Sequence, residues 1–488
     1  MIQESEAGVT IITSFEEDVP YSRTFSNDDD DEDDLNIKLS FSERSERGEL
    51  GTSRNITAIM IYTYLSFVAR SLWNSNALPI FVFLLCKVDD KKTVGFITSL
   101  TGMTQLLSSY PASWVADRYR RDRVVKFGST MGFVSATLTL IAAQRENLTL
   151  LAIGLACWGL FQGMVNPSVW ALLADSVNSG DRSLYFSKRL QLQFYGRTTG
   201  PILSLIMLYN LGIEDWTIET CAAMIKLGQY ISIIELFSLF FMSDDFCVNE
   251  SQQEQVSTPK NSIHLDSKTV GLLEDEENID TTPKKCVWCN AKRIVPICVA
   301  IADLFGGIST GMAVRYFPVF FMDDLNLSPY QIQWIYLISN LLLSWTSRLG
   351  QYSGIRIGRL ETSIIMKIVG SFSMFGMVAC YQDGPEQPQI LLLVALYLIR
   401  TAAVMGTGAL TRSVLMDHVP KNERSRWNSV EAVTNFSWAG SAALGGLLVD
   451  ARGLLYVFSF SSWCVLFTTI PYGIAIYNGV IREVKVQK

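Results

Sequence analysis

Hydrophobic residues in this chain come in long runs, and polar residues gather between them. A membrane-spanning helix needs about 20 mostly apolar residues. The pattern therefore predicts twelve spanning helices, at residues 55–87, 92–116, 124–144, 148–177, 184–212, 219–243, 291–322, 329–351, 361–381, 389–418, 427–451 and 454–481. Several runs exceed the bilayer thickness and are expected to tilt, kink or project beyond it. The only long interior hydrophilic stretch falls between the sixth and seventh runs. The predicted fold is an all-α membrane protein with twelve transmembrane helices in two pseudo-symmetric six-helix bundles. Its parts are an acidic, disordered N-terminal segment (1–54), a first bundle (55–243), an acidic linker (244–290), a second bundle (291–481) and a tail (482–488).

The two halves repeat each other's loop chemistry. Leu172-Leu173-Ala174-Asp175-Ser176-Val177, followed by Asp181-Arg182-Ser183, recurs 242 positions later as Val414-Leu415-Met416-Asp417-His418-Val419, followed by Glu423-Arg424-Ser425. The same offset carries Gly128-Ser129 onto Gly370-Ser371. Each copy of the string closes an apolar run and leads into a basic loop. Duplicated bundles of this kind build solute carriers, with the substrate site between the repeats.

Charge sharpens the picture. The 488-residue chain is 49% hydrophobic and 18% charged, with net charge −7. Residues 1–54 hold fifteen acids and five bases, and residues 244–283 hold ten acids and two bases, so the rest of the chain is net positive by 11. Dense like charge with few aromatics predicts disorder in both acidic segments. Basic residues concentrate in alternate loops: Arg118, Arg120, Arg121 and Arg123 after run two, Arg182, Lys188 and Arg189 after four, Arg356 and Arg359 after eight, and Lys421, Arg424 and Arg426 after ten. The positive-inside rule then places both termini and the linker in the cytoplasm. The membrane is the plasma membrane or that of an organelle. The polar start of the chain lacks the pattern of a cleavable signal peptide. Nine scattered cysteines give no disulfide framework, and the lone Cys286-Val287-Trp288-Cys289 pair has no partner ligands. Asn147-Leu148-Thr149 is a glycosylation sequon close to the outer membrane surface.

Between runs two and three stands Ala116-Asp117-Arg118-Tyr119-Arg120-Arg121-Asp122-Arg123. With this loop the chain resembles the major facilitator superfamily, whose loop at this place reads G-x-x-x-D-R-x-G-R-R. Asp117, Arg118 and Arg121 match; Ser113 and Arg120 replace the glycines. The resemblance implies that Asp117 clamps the cytoplasmic ends of the two bundles in one state and releases them in the other, with Arg118 and Arg121 pairing to nearby acids. A carboxylate that gains and loses an arginine partner makes a two-state latch. The duplicated clusters Asp175, Asp181, Arg182 and Asp417, Glu423, Arg424 fit the family's loops after helices four and ten, and together with Glu431 they are expected to form cytoplasmic gate pairs. The competing reading is generic surface charge, where an exposed pair contributes about 0–1 kcal/mol. Gly196-Arg197-Thr198-Thr199-Gly200-Pro201 in run five matches the start of a motif seen in antiporter members. Physically, Gly196 and Gly200, four apart, allow close helix packing, and Pro201 loosens the backbone ladder.

The resemblance also implies that helices one, four, seven and ten surround a central cavity, with two, five, eight and eleven beside them. Charges near the middle of the runs fall on these helices: Arg70, Arg197, Asp303 and Arg400. A charge at the bilayer centre costs at least about 2.5–3.5 kcal/mol, so it usually faces water or a partner. Three arginines against one aspartate favour an anionic substrate, because a guanidinium fork binds carboxylate or phosphate through two hydrogen bonds. Asp303 is the candidate for proton coupling; equally open is a structural bridge from Asp303 to Arg70 or Arg400. Glu235 lies on the more peripheral helix six, and Arg315 and Arg348 lie near run ends where they can snorkel. Neutral candidates for contact with a solute are Asn74, Asn76, Gln162, Asn166, Asn340, Asn435 and Trp438, with helix packing as the alternative. Trp73-Asn74-Ser75 followed by Pro79 predicts a break in helix one.

No Walker A string and no histidine centre are present, with only His264 and His418 in the chain. The expectation is a non-enzymatic monomer without cofactor or metal, whose partners are the lipid bilayer, a small-molecule substrate and protons, not nucleic acid. The leading function is secondary transport of a small polar, anionic metabolite by alternating access, coupled to protons as symport or antiport. The alternatives are facilitated diffusion of a neutral solute and a non-transporting receptor or scaffold on the same fold.

Overall fold

The computed structural model describes residues 54–86, 91–177, 182–246, 291–381, 387–418, 434, 437 and 440–486. The N-terminal acidic segment and nearly all of the linker lie outside them. Described residues are helical, with no strand among them. In order the helices are α1 (Arg54–Leu85), α2 (Lys91–Arg118), α3 (Arg121–Arg145), α4 (Leu148–Asp175), α5 (Arg182–Leu211), α6 (Ile218–Leu239), α7 (Ile294–Asp324), α8 (Pro329–Arg356) and α9 (Arg359–Cys380). They continue as α10 (Gln387–Met405, resuming at Gly408–His418), α11 (described over Ala442–Arg452) and α12 (Leu454–Phe467, resuming at Thr469–Val486). The last helix runs on through most of the stretch expected as a free tail.

Local sequence explains the boundaries. Asn147, the sequon residue, caps α4 by accepting the Leu150 amide at 3.0 Å. Thr217 caps α6 through the Thr220 amide. Ser328 and Gln331 form a capping box at α8, with Pro329 in the first turn where its missing N–H costs nothing. Gly453 takes φ +85°, open to glycine, to turn the chain sharply from α11 into α12.

Neighbour relations repeat from half to half. α2 and α3 pack on α4 as α8 and α9 pack on α10; α6 packs on α1 and α3 as α12 packs on α7 and α9. The duplicated glycines serve one purpose in each half. A Cβ on Gly128 would lie 2.6 Å from Val165 Cγ2 of α4, and one on Gly370 would lie 2.5 Å from Val404 Cγ2 of α10. Both positions allow the same close approach of two helices. The chain is an all-α membrane protein of two related helical bundles.

Among the described residues eight helices are long and apolar enough to cross a membrane. Those outside this set, α2, α5, α8 and the described part of α11, all pack across the halves: α2 on α11 and α5 on α8. A helix with protein on more than one side is under less demand to be apolar all round.

Candidate substrate and gating site

The arginine pair on α1 and α5 is built by glycines. A Cβ on Gly196 would approach the Tyr64 carbonyl to 2.7 Å, and one on Gly200 would collide with the Ser71 side chain. Only with both glycines can α5 lie flat against α1. That contact sets Arg197 beside Phe67 and Arg70. The two guanidinium carbons stand 5.0 Å and 5.6 Å from the centre of the Phe67 ring, Arg197 at the shorter distance. The positive charges act on each other directly. Stacking on a ring face gives each cation some stabilisation, and the Phe67 ring carries no counter-charge.

Helix one runs on without the expected break. Trp73–Ala77 forms a single π-helical turn, in which the Leu78 amide reaches back to the Trp73 carbonyl. The next such bond would need an amide at Pro79, which has none. The Asn74 carbonyl is therefore free, and Arg315 Nη1 of α7 donates to it at 2.8 Å. The guanidinium also reaches Asn74 Oδ1 at 3.3 Å. Arg315 is only 9% exposed, so the expectation that it snorkels at a helix end is corrected; Arg348 is exposed.

Further polar contacts continue the band across the halves. Asn340 Nδ2 on α8 donates to the Arg197 carbonyl at 2.8 Å. One turn earlier, Tyr336 lies with Tyr397 of α10 and within the field of Arg315. Arg400, 2% exposed, sits 5.1 Å above the Phe317 ring and acts on Tyr397. Its Nη1 has no hydrogen-bond partner among the described residues. Gln162 is buried on α4, and Asn166 is half-buried. Asn76 is fully buried, with its Oδ1 accepting the Ala77 amide. Asn435 and Trp438 lie outside the described residues.

Asp303 keeps different company. It accepts from the Tyr472 hydroxyl of α12 at 2.6 Å, and Lys367 of α9 donates to the same hydroxyl at 3.1 Å. Lys367 is the charged group that acts on Asp303. In place of Arg70 or Arg400, the cation near Asp303 is Lys367, linked to it through the Tyr472 hydroxyl, a mid-helix lysine that sequence reasoning passed over. Arg189 was also underrated as a loop base: it is 4% exposed, donates from Nε to Thr63 at 3.1 Å and covers the Trp170 ring at 3.7 Å.

At the basic-loop end, Arg121 pairs with Asp175. Arg120 bridges Asp122 at 3.1 Å and Asp245 at 2.6 Å, and Asn55 ties α1 to Ser176 and to the Ser243 carbonyl. All these bonds lie within the first half. Arg118 stacks 4.8 Å from the Trp114 ring. The side chains of Asp117, Arg182 and Asp417, and residues Asp181, Glu423, Arg424 and Glu431, lie outside the described residues. A contact between halves at this end is Arg412 of α10, 5.8 Å from the Trp170 ring.

At the opposite end the halves meet through ion pairs. Lys91 pairs with Asp323 at 2.8 Å and Asp324 at 3.7 Å, and Lys92 with Asp450 at 3.8 Å. Tyr316 fills the space between Gly95 and Gly446, where a Cβ on Gly95 would collide with its hydroxyl. Trp216 Nε1 donates to the Leu327 carbonyl at 3.1 Å.

The Major Facilitator Superfamily profile matches residues 59–242. A POT family transporter crystallised with 5-aminolevulinic acid superposes with a TM-score of 0.62 at 11% identity, over 88% of this chain and 96% of that one. A bacterial homologue of the iron transporter ferroportin, in an inward-facing state, gives a TM-score of 0.61 at 14% identity, over 86% of this chain and 98% of that one. Over its first bundle the chain is thus similar to the major facilitator superfamily. At such identities the likeness to these structures shows the fold alone. A sequence relative, the probable anion transporter 3 of Arabidopsis thaliana chloroplasts, is 22% identical over 62% of this chain, a match that spans 59% of that protein's length. The chain is a multi-pass membrane protein whose fold is similar to that of these transporters.

Proposed function

We propose that the chain is a secondary carrier moving a small organic or inorganic anion by alternating access. The observation that carries this reading is Arg70 and Arg197 on one Phe67 ring. Two guanidinium groups held together deep in the bundle repel each other, and an anion bridging them relieves that repulsion while accepting paired hydrogen bonds. Arg400, stacked on Phe317 from the other half, supplies a third positive charge. Asn340 and the Tyr336–Tyr397 pair offer neutral hydrogen-bonding groups between them. The anion transport for which the plant relative is named agrees with this charge balance.

In this reading the Lys91 end faces outward and is shut, and the Arg120 end faces the cytoplasm. Turnover would break the Lys91–Asp323, Lys92–Asp450 and Arg315–Asn74 contacts and draw the basic-loop ends together. Uptake of labelled malate, sulfate and phosphate into proteoliposomes, with glucose as the neutral control and a pH gradient imposed, tests the reading. It expects uptake of at least one of the anions and none of glucose. Glucose uptake without anion uptake would replace it with neutral facilitated diffusion.

A further inference from the structure

A cavity of about 370 Å³ lies at the Lys91 end, and none of its lining residues belongs to the arginine band. Its volume falls within the roughly 300–1,000 Å³ of small-molecule sites. Both halves build it. Lys91 of α2 comes from the first half; Asp324 at the end of α7, Tyr381 after α9, and Asp450 and Arg452 at the end of α11 come from the second. Part of the lining is apolar. Val449 and Leu454 are buried and Leu455 is half-buried. Gly453, at φ +85°, turns the chain so that these leucines of α12 follow directly on the charged end of α11.

The charges around the cavity balance. Lys91 is held by Asp323 at 2.8 Å and Asp324 at 3.7 Å. Asp450 meets Lys92 at 3.8 Å, a long, half-exposed pair that leaves the carboxylate room for a second donor. No carboxylate pairs with Arg452 among the described residues; its guanidinium carbon stands 5.6 Å from the centre of the Tyr456 ring. Three bases (Lys91, Lys92 and Arg452) thus stand with three acids (Asp323, Asp324 and Asp450). A simple anion that reached Arg452 would also meet the carboxylates of Asp324 and Asp450. A simple cation that reached Asp450 would meet Arg452 and Lys91. Like charges brought together in a partly enclosed site repel strongly. A molecule with one charge of each sign avoids both conflicts. Its carboxylate accepts paired hydrogen bonds from the Arg452 fork, and its ammonium donates to Asp450. An apolar body then covers Val449, Leu454 and Leu455 and takes their surface out of water.

We propose that this cavity binds a zwitterionic amino acid with an apolar side chain. The site lies apart from the proposed anion path and does not depend on it. Lys91 and the rest of the lining belong to different halves, so an occupant favours the conformer in which the halves meet at this end. Separation of the halves there dismantles the site.

Calorimetric titration and thermal melts of the purified full chain with L-leucine test the proposal. The comparison ligands are leucinamide, which keeps only the ammonium, and N-acetylleucine, which keeps only the carboxylate. Leucine should bind and raise the melting temperature, and each single-charge analogue should bind at least about ten-fold more weakly. Arg452→Gln and Asp450→Asn should each weaken leucine binding about ten-fold or more. Both positions are exposed, so both variants should fold. A second readout keeps every charge in place: in Leu455→Cys, leucine should slow maleimide modification at residue 455, followed by mass spectrometry, several-fold. Unchanged leucine binding in either charge variant would overturn the proposal. So would equal binding of either analogue, or the absence of both binding and protection up to about 10 mM leucine.

Discussion

Arg315 of α7 donates to the main-chain carbonyl of Asn74 on α1 at 2.8 Å, across the boundary between the halves. That carbonyl is available because the π turn of α1 would pair it with Pro79, which has no N–H. Arg315→Ala removes the donor and leaves a buried acceptor unpaired in the closed state, a cost of about 1–3 kcal/mol. A cysteine at buried Val449, near the Lys91 end, should then react with maleimide about ten-fold faster or more. Unchanged labelling would show that the bond does not hold that end shut.

Gly200 sets the distance between α1 and α5. Gly200→Val should force the helices apart, at the roughly 1–3 kcal/mol typical of overpacking. It should lower the melting temperature and weaken anion binding together, since Arg197 moves with α5. Anion binding that survives a lowered melting temperature would separate the arginine pair from this packing.

The Asp303–Lys367 pair should behave as a buried structural bridge. Asp303→Leu alone strands a buried ammonium and should destabilise the protein by about 3–5 kcal/mol. Adding Lys367→Met should recover most of that loss in thermal melts, with anion binding intact. If the double variant is as unstable as the single one, the two residues do not act as a pair.

Acid should loosen the Arg120 end. The Arg120 guanidinium, with help from Ser243, holds the Asp245 carboxyl below its ordinary range. For a depressed carboxyl the stabilisation is present above its unfolded pKa and is lost as pH falls through the lower folded value. Asp245→Asn should therefore melt below the wild type at neutral pH, and the two should converge at about pH 3 or lower. Asp244 has the opposite tendency: burial pushes its carboxyl up, with the neighbouring Asp122 carboxylate adding to the effect. A difference in melting that widens toward acid would contradict this assignment.

The hydrophobic runs already located most helices, because hydrocarbon demands about 20 apolar residues per crossing, and the 242-residue repeat revealed the doubled architecture. Gly196 and Gly200 were legible too, since small residues four apart have one obvious use. Side-chain direction was not legible. Asp303 and Arg400 both sit mid-helix in sequence, yet one faces Lys367 and the other Phe317. Glu235 looked peripheral because α6 is peripheral; its side chain is nevertheless fully buried. Nothing local announces the π turn of α1 beyond a proline that also fits a break, and only the arrival of Arg315 from α7 shows what the freed carbonyl does.

The central claim is that the arginines of α1, α5 and α10 hold the transported anion. Binding of malate, sulfate and phosphate to the wild type and to Arg197→Ala and Arg400→Ala, read as ligand-induced shifts in melting temperature, tests it most directly. Both variants should fold and lose affinity at least about 30-fold for the anion that the wild type binds. Wild-type affinity in both would contradict the claim.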